Sequence, residues 1–243
     1  MIADLSSHGR STFAFTDRFG GVSEPPFDEL NLARHVGDRP AAVEKNRALL
    51  AGSIGLSDER VVYMNQVHGA DVAVVDGPQP WSAEDAPAVD GMVTASPGLA
   101  LAVMVADCVP VVLGDPERGI VGVAHAGRPG MAAGVVAAVV KVMRDLGAER
   151  IVARIGPAVC GACYEVPEAM RADVAAAVPA SWATTRHGTP AVDVPGGVLS
   201  QLDDLGAEPL AAESPCTIED PALYSYRRDG VTGRFAGLAW VRA

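Results

Sequence analysis

The sequence lacks any long uninterrupted apolar run and contains few cysteines. Its first residues include no apolar stretch of signal-peptide length, and apolar segments such as residues 98–106 are far too short to cross a bilayer. The four cysteines, Cys108, Cys160, Cys163 and Cys216, are too few for a disulfide scaffold in a chain of 243 residues. We therefore expect a protein of the reducing cytoplasm, where cysteines serve as ligands, nucleophiles or core residues.

Basic residues are scarce relative to acidic ones. The chain has 19 Lys and Arg against 30 Asp and Glu, which gives a formal net charge of −11. A chain this acidic has no general attraction to nucleic acids or anionic membranes, so we expect neither as a partner. An anionic substrate would need a local basic pocket. The sequence also lacks the GxxxxGK[ST] and GxGxxG motifs of nucleoside-triphosphate and dinucleotide enzymes.

No internal repeat and no low-complexity linker divides the chain, so we predict a single domain over residues 1–243. The most loop-like segment, residues 76–89, contains three prolines and three acidic residues. We interpret it as a surface loop within that domain.

Hydrophobic periodicity and turn residues predict an α+β fold. Predicted helices cover residues 39–51, 131–146, 168–178 and 198–205, with Asp38 as the N-cap of the first. Predicted strands, many of them β-branched, cover residues 60–63, 71–75, 99–105, 110–113, 120–124, 151–155 and 238–241. Neighbouring strands with helices between some of them indicate mixed sheets covered by helices.

Three predicted strand ends carry side chains that bind transition metals. His68 lies in NQVHG, Cys108 in ADCVP and His125 in VAHAGRPG. Strand ends present side chains to clefts, so the three can meet if their strands are neighbours. One thiolate and two imidazoles suit Zn²⁺, and a set of three ligands leaves a position for water or substrate. Asp107, beside Cys108, is a candidate to orient a ligating imidazole.

The wide spacing of these residues leaves other interpretations open. Isolated His and Cys residues more often pack than ligate, and only short local spacings are strong zinc signals. Cys108 and His125 also fit a nucleophile and its general base, as in cysteine hydrolases. The metal content of the purified protein separates the two hypotheses.

Two glycine-containing segments hold further candidate groups. Cys160 and Cys163 form a CxxC that is equally typical of a redox pair, half a zinc site or a tightly packed turn. No second CxxC is present to complete a Cys₄ site. Residues 127–130 lead into a predicted helix, so backbone N–H groups and Arg128 offer an anion site.

A basic segment lies near the end of the sequence. Residues 225–234 contain three arginines and a tyrosine, which could hold an anion or stack on a base. The alternative is a hairpin with a solvated turn, because DGVTG is favourable turn chemistry.

Five ordered motifs resemble the YfiH-like laccase-domain proteins, also called the purine nucleoside phosphorylase family. They are NQVHGADV, ADCVPVVL, GVAHAGRPG, GPAVCGACYEV and SYRRDGVTGRFAGLAWV, and the segment at residues 20–50 matches as well. The resemblance covers residues 19–241. It implies a single-domain, layered α/β/β/α sandwich with mixed sheets, similar to that of bacterial toxin deamidases.

The resemblance also implies an activity and its residues. It implies a Zn²⁺ site formed by His68, Cys108 and His125, phosphorolysis of adenosine, inosine, guanosine and methylthioadenosine, and hydrolytic deamination of adenosine. We take His68, Cys108, His125 and Asp107 as catalytic candidates. Substrate-binding candidates, several of them inside the motifs, are Asn31, Arg47, Gln66, Arg128, Cys163, Tyr164, Glu165 and Arg227. Phosphate is expected near an arginine of this set, and the chain is expected to be a monomer or a weak homo-oligomer.

One motif departs from the family pattern. The family usually has AHAGWRG, whereas this chain has AHAGRPG, so the tryptophan is missing and Arg128 comes one place early. Pro129 also restricts the turn. We expect a change in phosphorolytic efficiency or in substrate.

Two alternative functions remain. A laccase-like polyphenol oxidase needs a blue-copper centre and a trinuclear cluster, for which five histidines are too few. A single Cu²⁺ with incidental oxidase activity stays open, because Cu²⁺ outcompetes Zn²⁺ at most N/S sites. The other alternative is a non-enzymatic partner protein with a structural zinc, which an open coordination position would oppose.

Overall fold

The computed structural model describes residues 1–78, 86–210 and 214–242. Strands are numbered in chain order as β1 Ile2–His8, β2 Ser11–Thr16, β3 Val61–Tyr63, β4 Val72–Val74, β5 Gly91–Thr94, β6 Ala100–Val105, β7 Val109–Asp115, β8 Ile120–Ala126, β9 Val152–Ile155, β10 Trp182–Thr184, β11 Pro190–Val192, β12 Glu208–Pro209 and β13 Phe235–Val241. The α-helices are α1 Pro40–Ser53, α2 Arg128–Ala133, α3 Val135–Asp145, α4 Glu168–Ala177, α5 Val194–Asp204 and α6 Tyr226–Asp229. Short 3₁₀ helices cover Asp58–Arg60 and Pro179–Ser181.

Two large mixed sheets form the centre of the protein. The five-stranded sheet has the order β1-β2-β13-β6-β3, and only β3 and β6 pair in parallel. The six-stranded sheet has the order β12-β9-β7-β8-β5-β4, with parallel pairs at its two edges. Strands β10 and β11 form a separate hairpin. The mixed sheets agree with the α+β prediction.

The core is divided among three apolar layers. Side chains of both sheets meet between them, among them Phe13, Val103 and Val112. The other face of the six-stranded sheet packs against α3 and α5, whereas the outer face of the five-stranded sheet packs against α1. Successive residues Val111 and Val112 of β7 therefore enter different layers, and both are fully buried. This is the α/β/β/α sandwich that the resemblance implied.

The N-terminal strands β1 and β2 and the buried strand β5 were not predicted. Strand β1 alternates half-buried and exposed residues at the sheet edge, so it carries no continuous apolar signal. The helix predicted over residues 131–146 is divided into α2 and α3 by Gly134, which has φ 86°. Alanines and valines on both sides hid this left-handed break.

One cap prediction and one helix boundary were wrong. Asp38 does not cap α1, because its carboxylate accepts hydrogen bonds from Ser23 Oγ at 2.6 Å and Asn31 Nδ2 at 2.9 Å. The helix predicted from residue 198 begins at Val194, where the Asp193 side chain caps it. The hairpin alternative for residues 225–234 is also wrong, since α6 begins there behind the cap Ser225.

Residues 79–85 of the predicted surface loop lie outside the described residues. Within the described ranges, no helix is both long and apolar enough to traverse a lipid bilayer.

Candidate metal centre and adjoining cavity

His68, Cys108 and His125 meet at one end of the six-stranded sheet. Strands β7 and β8 pair so that Pro110 lies opposite His125, which brings the preceding Cys108 close to this imidazole. The three ligand atoms lie within 4.8 Å of one another. Cys108 Sγ lies 3.8 Å from His68 Nε2, and the two imidazole rings are 4.7 Å apart in an edge-to-face arrangement.

Two non-glycine residues of this region have left-handed backbone conformations. His68 has φ 61° and Asp107 has φ 92°. Such residues cost on the order of 1–3 kcal/mol each and persist where surrounding contacts hold them. The Asp90 carboxylate holds the His68 loop by accepting hydrogen bonds from the backbone N–H groups of His68 at 2.9 Å and Gly69 at 2.6 Å. The strained loop therefore presents His68 in a fixed orientation.

Asp90 also orients the second imidazole. It is fully buried, and one carboxylate oxygen lies 2.8 Å from His125 Nδ1. With Nδ1 hydrogen-bonded to a carboxylate, His125 retains Nε2 as its ligand nitrogen. Sequence reasoning missed Asp90, which lies directly before the buried strand β5.

The expected contact between Asp107 and a ligating imidazole is not present. Its carboxylate instead accepts hydrogen bonds from Thr217 Oγ1, Ser225 Oγ and the Arg227 backbone N–H, each at 2.6 Å. The left-handed backbone turns Asp107 toward the C-terminal segment while Cys108 faces the histidines. This correction moves the imidazole-orienting role to Asp90.

Charges within the cluster favour the metal-binding form of the thiol. Burial opposes ionisation of Cys108, but the neighbouring His125 and His68 outweigh it and lower the pKa of the thiol to about 6. Burial likewise opposes protonation of His125, but Cys108 and Asp90 raise the pKa of this imidazole to about 9. A thiolate is both the ligand and the nucleophile, so the electrostatics suit either hypothesis.

A glycine makes room for the cluster. A Cβ atom on Gly127 would lie 2.8 Å from His68 Cδ2 and 3.0 Å from Cys108 Sγ. The backbone therefore approaches the ligands more closely than any side chain would allow. Together with two imidazoles and a thiolate, this cradle fits a divalent transition metal such as Zn²⁺, with Cu²⁺ chemically compatible.

The cluster opens onto a cavity of about 620 Å³. Polar and aromatic groups that share its wall with the three ligands are His35, Gln66, Asp107, Tyr164, Tyr226, Arg227 and Arg234. Three substrate-binding candidates, Gln66, Tyr164 and Arg227, thus line it. The volume lies within the usual range of small-molecule sites, about 300–1,000 Å³.

The cavity wall carries cations and aromatic rings in pairs. The Arg227 guanidinium lies 4.8 Å from the centre of the Tyr164 ring and donates a hydrogen bond to the Glu165 carbonyl at 3.1 Å. Arg234 lies 6.0 Å from the Tyr226 ring. These arginines supply the local positive charge that an acidic protein needs for an anionic ligand.

Gln66 has a structural contact as well as a cavity position. Its amide donates to the Met104 carbonyl at 2.7 Å and accepts from the Met104 N–H at 2.9 Å. Both bonds fasten the His68 loop to the end of β6.

The structure does not bring Asn31, Arg47, Arg128, Cys163 or Glu165 to the described cavity wall. Asn31 is buried and bonds to Ala33, and the Arg47 guanidinium stacks 3.8 Å above the Tyr63 ring. The side chains of Cys163 and Glu165 bond to Arg186 and Thr189 instead. Arg128 begins α2, and its buried Nε has no hydrogen-bond partner among the described residues.

Three charged, polar or aromatic residues of the described cavity wall were not predicted as contacts: His35, Tyr226 and Arg234. Burial and the neighbouring Arg234 lower the pKa of His35, which favours its neutral form. Tyr226 and Arg234 belong to the basic segment noted in the sequence, whereas His35 lies in the N-terminal motif.

Comparisons with known proteins identify the relatives of this chain. The family model described as multi-copper polyphenol oxidoreductase laccase matches residues 12–242. A purine nucleoside phosphorylase of Streptomyces coelicolor is 57% identical over 99% of this chain and 100% of its own, and one of Streptomyces griseus is 60% identical over 96% and 95%.

A solved structure has the same fold. The crystal structure of the hypothetical protein YfiH of Bacillus licheniformis superposes with a TM-score of 0.86 at 32% identity, covering 96% of this chain and 93% of the other. The family match over nearly the whole sequence, the highly identical relatives and this shared fold establish that the chain belongs to the YfiH-like laccase-domain family.

Proposed function

We propose that this protein is a zinc-dependent purine nucleoside phosphorylase that also deaminates adenosine. One observation carries the proposal: three metal-binding atoms lie within 4.8 Å of one another on the wall of a cavity that also presents arginines and aromatic rings. The similarity to the two Streptomyces purine nucleoside phosphorylases supports the same activity.

His68, Cys108 and His125 would hold the zinc ion. When bound by three protein ligands, Zn²⁺ supplies Lewis acidity and lowers the pKa of water, which serves deamination at the purine C6. Asp90 orients the His125 imidazole and holds the His68 backbone, and Gly127 leaves space for His68 and Cys108. The open side of the cluster faces the cavity, where a substrate atom can approach.

The remaining cavity residues would bind the nucleoside and phosphate. Tyr164 and Tyr226 offer ring faces for stacking on a purine. Arg227 and Arg234 offer charge-assisted hydrogen bonds to phosphate, replacing Arg47 and Arg128 as the favoured phosphate contacts. We assign Asp107 a positioning role, because Thr217, Ser225 and the Arg227 backbone all donate to its carboxylate.

A product assay tests the proposal directly. The purified zinc-loaded protein is incubated with inosine and phosphate, and separately with adenosine with and without phosphate. We expect hypoxanthine and ribose 1-phosphate from inosine, and inosine with ammonia from adenosine without phosphate. Cys108→Ala should abolish both activities, whereas His187→Ala, which removes an exposed histidine outside the cavity, should keep both. Absence of ribose 1-phosphate from the zinc-loaded protein would contradict the phosphorylase proposal.

A copper polyphenol oxidase is favoured less by the ligands of this chain. Along the described cavity wall, only His35 could add an imidazole to the three candidate ligands, which is too few for a trinuclear cluster. Metal analysis of protein expressed without added copper, followed by a phenol oxidation assay, separates the two functions. Zinc with no phenol oxidation supports the phosphorylase, and copper with sustained oxidation supports the oxidase.

A purely structural zinc is also disfavoured. Structural zinc sites are closed by four protein ligands, whereas this cluster has three and faces a cavity.

A further inference from the structure

A second group of metal-binding side chains lies apart from the candidate active site. We call Cys160, Cys163, Cys216 and Glu219 the cysteine cluster. Their ligand atoms all lie within 4.8 Å of one another. None of the four belongs to the described lining of the cavity. The proposed enzyme reaction therefore gives this cluster no role.

Two chain segments supply the cluster through matching turns. In the first turn, the N–H groups of Cys163 and Tyr164 donate to the Cys160 carbonyl at 2.9 and 3.0 Å. In the second turn, the N–H groups of Glu219 and Asp220 donate to the Cys216 carbonyl, each at 3.0 Å. The sequences CGAC and CTIE thus adopt the same local hydrogen-bond pattern. The spacing of two intervening residues is the one that zinc-binding turns use.

Backbone contacts hold the two turns face to face. Ala158 and Cys216 form a parallel bridge, and the Thr217 N–H donates to the Ala158 carbonyl at 3.1 Å. The Cys160 N–H donates a hydrogen bond to Cys216 Sγ at 3.4 Å. The four ligands are therefore assembled by backbone structure around one point.

We infer that Cys160, Cys163, Cys216 and Glu219 form a second Zn²⁺ site, which is closed and structural. Tetrahedral geometry with Zn–S bonds of about 2.3 Å requires sulfur atoms about 3.8 Å apart, so side-chain shifts of about 1 Å complete the site. A set of three thiolates selects a soft cation over Mg²⁺ or Ca²⁺. Four protein ligands leave no position for substrate.

Arg186 accounts for the charge of this site. Three thiolates and one carboxylate carry more negative charge than Zn²⁺ neutralises. The exposed Arg186 donates from Nη2 to Cys163 Sγ at 2.9 Å and also pairs with the Glu219 carboxylate. It acts as an outer donor of the kind that supports metal ligands.

A disulfide fits these residues less well than a metal. Any disulfide among three cysteines leaves one thiol unused, and it gives the carboxylate of Glu219 no function. A carboxylate at the spacing of the missing cysteine can serve as the fourth zinc ligand.

The second site would fasten the wall of the cavity. Tyr164, directly after Cys163, lines the cavity. Thr217, directly after Cys216, donates to Asp107 beside the ligand Cys108. Loss of this zinc should therefore loosen substrate binding and lower stability, without removing the metal of the first site.

Metal counting tests the inference. Wild-type protein purified from zinc-sufficient medium under reducing conditions should contain about two zinc ions per chain by elemental analysis. Cys108→Ala and Cys216→Ser should each retain about one, and the double variant none. In the Cys108→Ala background, Co²⁺ substitution should give the strong thiolate charge-transfer absorption of a tetrahedral three-sulfur site.

A conservative substitution tests the site even if the cysteine variants fail to fold. Glu219→Gln, which keeps the size of the side chain, should weaken the second zinc about 10–100-fold in a chelator competition. Glu208→Gln, at an exposed glutamate paired with Arg150, should leave both zinc ions in place. One zinc in the wild type together with none in Cys108→Ala would overturn the inference, as would a mass loss of two hydrogens that marks a disulfide. Two zinc ions without any nucleoside turnover would reject the proposed function and leave this site intact.

Discussion

The proposed metal cluster of His68, Cys108 and His125 and the cysteine cluster differ in the number of candidate ligands and in the space beside them. The first has three ligands and opens onto a cavity of about 620 Å³. The second has three thiols and a carboxylate, and it contributes nothing to the described cavity wall. Three ligands leave a coordination position and four do not. Under the two proposals, cysteine therefore has a reactive role in one cluster and a structural role in the other, according to the ligands that surround it.

The two clusters also differ in how the chain supports them. The first depends on paired strands, on the buried Asp90 and on strained backbone at His68. The second depends on two short turns joined by one backbone bridge. We therefore expect substitutions to separate the two clusters cleanly.

The largest expected effect comes from exchanging one cysteine in each cluster. Cys108→Ser should lower kcat/KM for inosine phosphorolysis by more than about 1,000-fold, because a catalytic metal contributes several kcal/mol to transition-state stabilisation. Cys216→Ser should lower kcat/KM by less than about 10-fold, because the cysteine cluster only positions the cavity wall. Steady-state kinetics on the folded protein measures both. Equal losses in the two variants would erase the distinction between the clusters.

Asp90 tests the support of the first cluster. Asp90→Asn should weaken zinc binding there and lower kcat/KM about 10–100-fold, because the carboxylate no longer fixes the His125 tautomer. Chelator competition and kinetics measure the two effects. Zinc in the cysteine cluster should be unaffected. An unchanged zinc affinity at both clusters would show that Asp90 is not a supporting residue.

Asp115 is a matched control, as another buried carboxylate that accepts backbone N–H bonds, here from Glu117, Arg118, Glu149 and Arg150. Asp115→Asn should cost about 1–3 kcal/mol of stability and leave zinc affinity unchanged. Burial alone would raise the pKa of Asp115, but the four hydrogen bonds outweigh the effect of burial and lower this pKa. The contribution of the Asp115 carboxylate to the free energy of unfolding should therefore be complete above about pH 4. It should disappear as the pH falls through the lowered pKa. Denaturant unfolding at several pH values measures this.

Gly127 tests the space around the first cluster. The residue has φ −70°, so alanine adds no backbone strain, and only its Cβ would crowd His68 and Cys108. Gly127→Ala should weaken zinc binding about 10-fold at this cluster alone, through the displaced ligands. Gly52→Ala is the control, because a Cβ there meets nothing within 4 Å and alanine favours helix α1. Equal zinc affinity in the two variants would mean that His68 and Cys108 can move away from the added Cβ without weakening zinc binding.

The smallest effect concerns the link between the clusters. Thr217→Val removes one of the hydrogen bonds to Asp107 while keeping the volume of the side chain. A bond of this kind contributes about 0.5–1.5 kcal/mol, so KM for the nucleoside should rise up to about 10-fold with kcat nearly unchanged. Zinc should stay at both clusters. A fall in kcat without a change in KM would contradict the positioning role of Asp107.

Some residues of the candidate metal centre could be predicted from the sequence, and others could not. Ligand chemistry at strand ends suggested His68, Cys108 and His125, and strand pairing brings them together as required. Asp90 was missed because its partner His125 becomes a neighbour only when β5 pairs with β8. Local patterns do not contain such long-range pairing.

The cysteine cluster shows the same limit. The sequence displayed one CxxC and no second, so the site looked incomplete. The missing half is the CTIE turn, in which Glu219 takes the place of a cysteine and lies far along the chain. An acidic residue at the spacing of a second CxxC was the signal that could have been used.

Gln66 gives the His68 loop an unusual mechanical property. Its side-chain amide bonds to both backbone groups of Met104, two residues beyond the last β3–β6 pair at Ala102. The side chain thus imitates a further strand residue, and the loop becomes a continuation of the five-stranded sheet. On heating, release of the metal from this loop should then coincide with melting of the sheet, as one cooperative event.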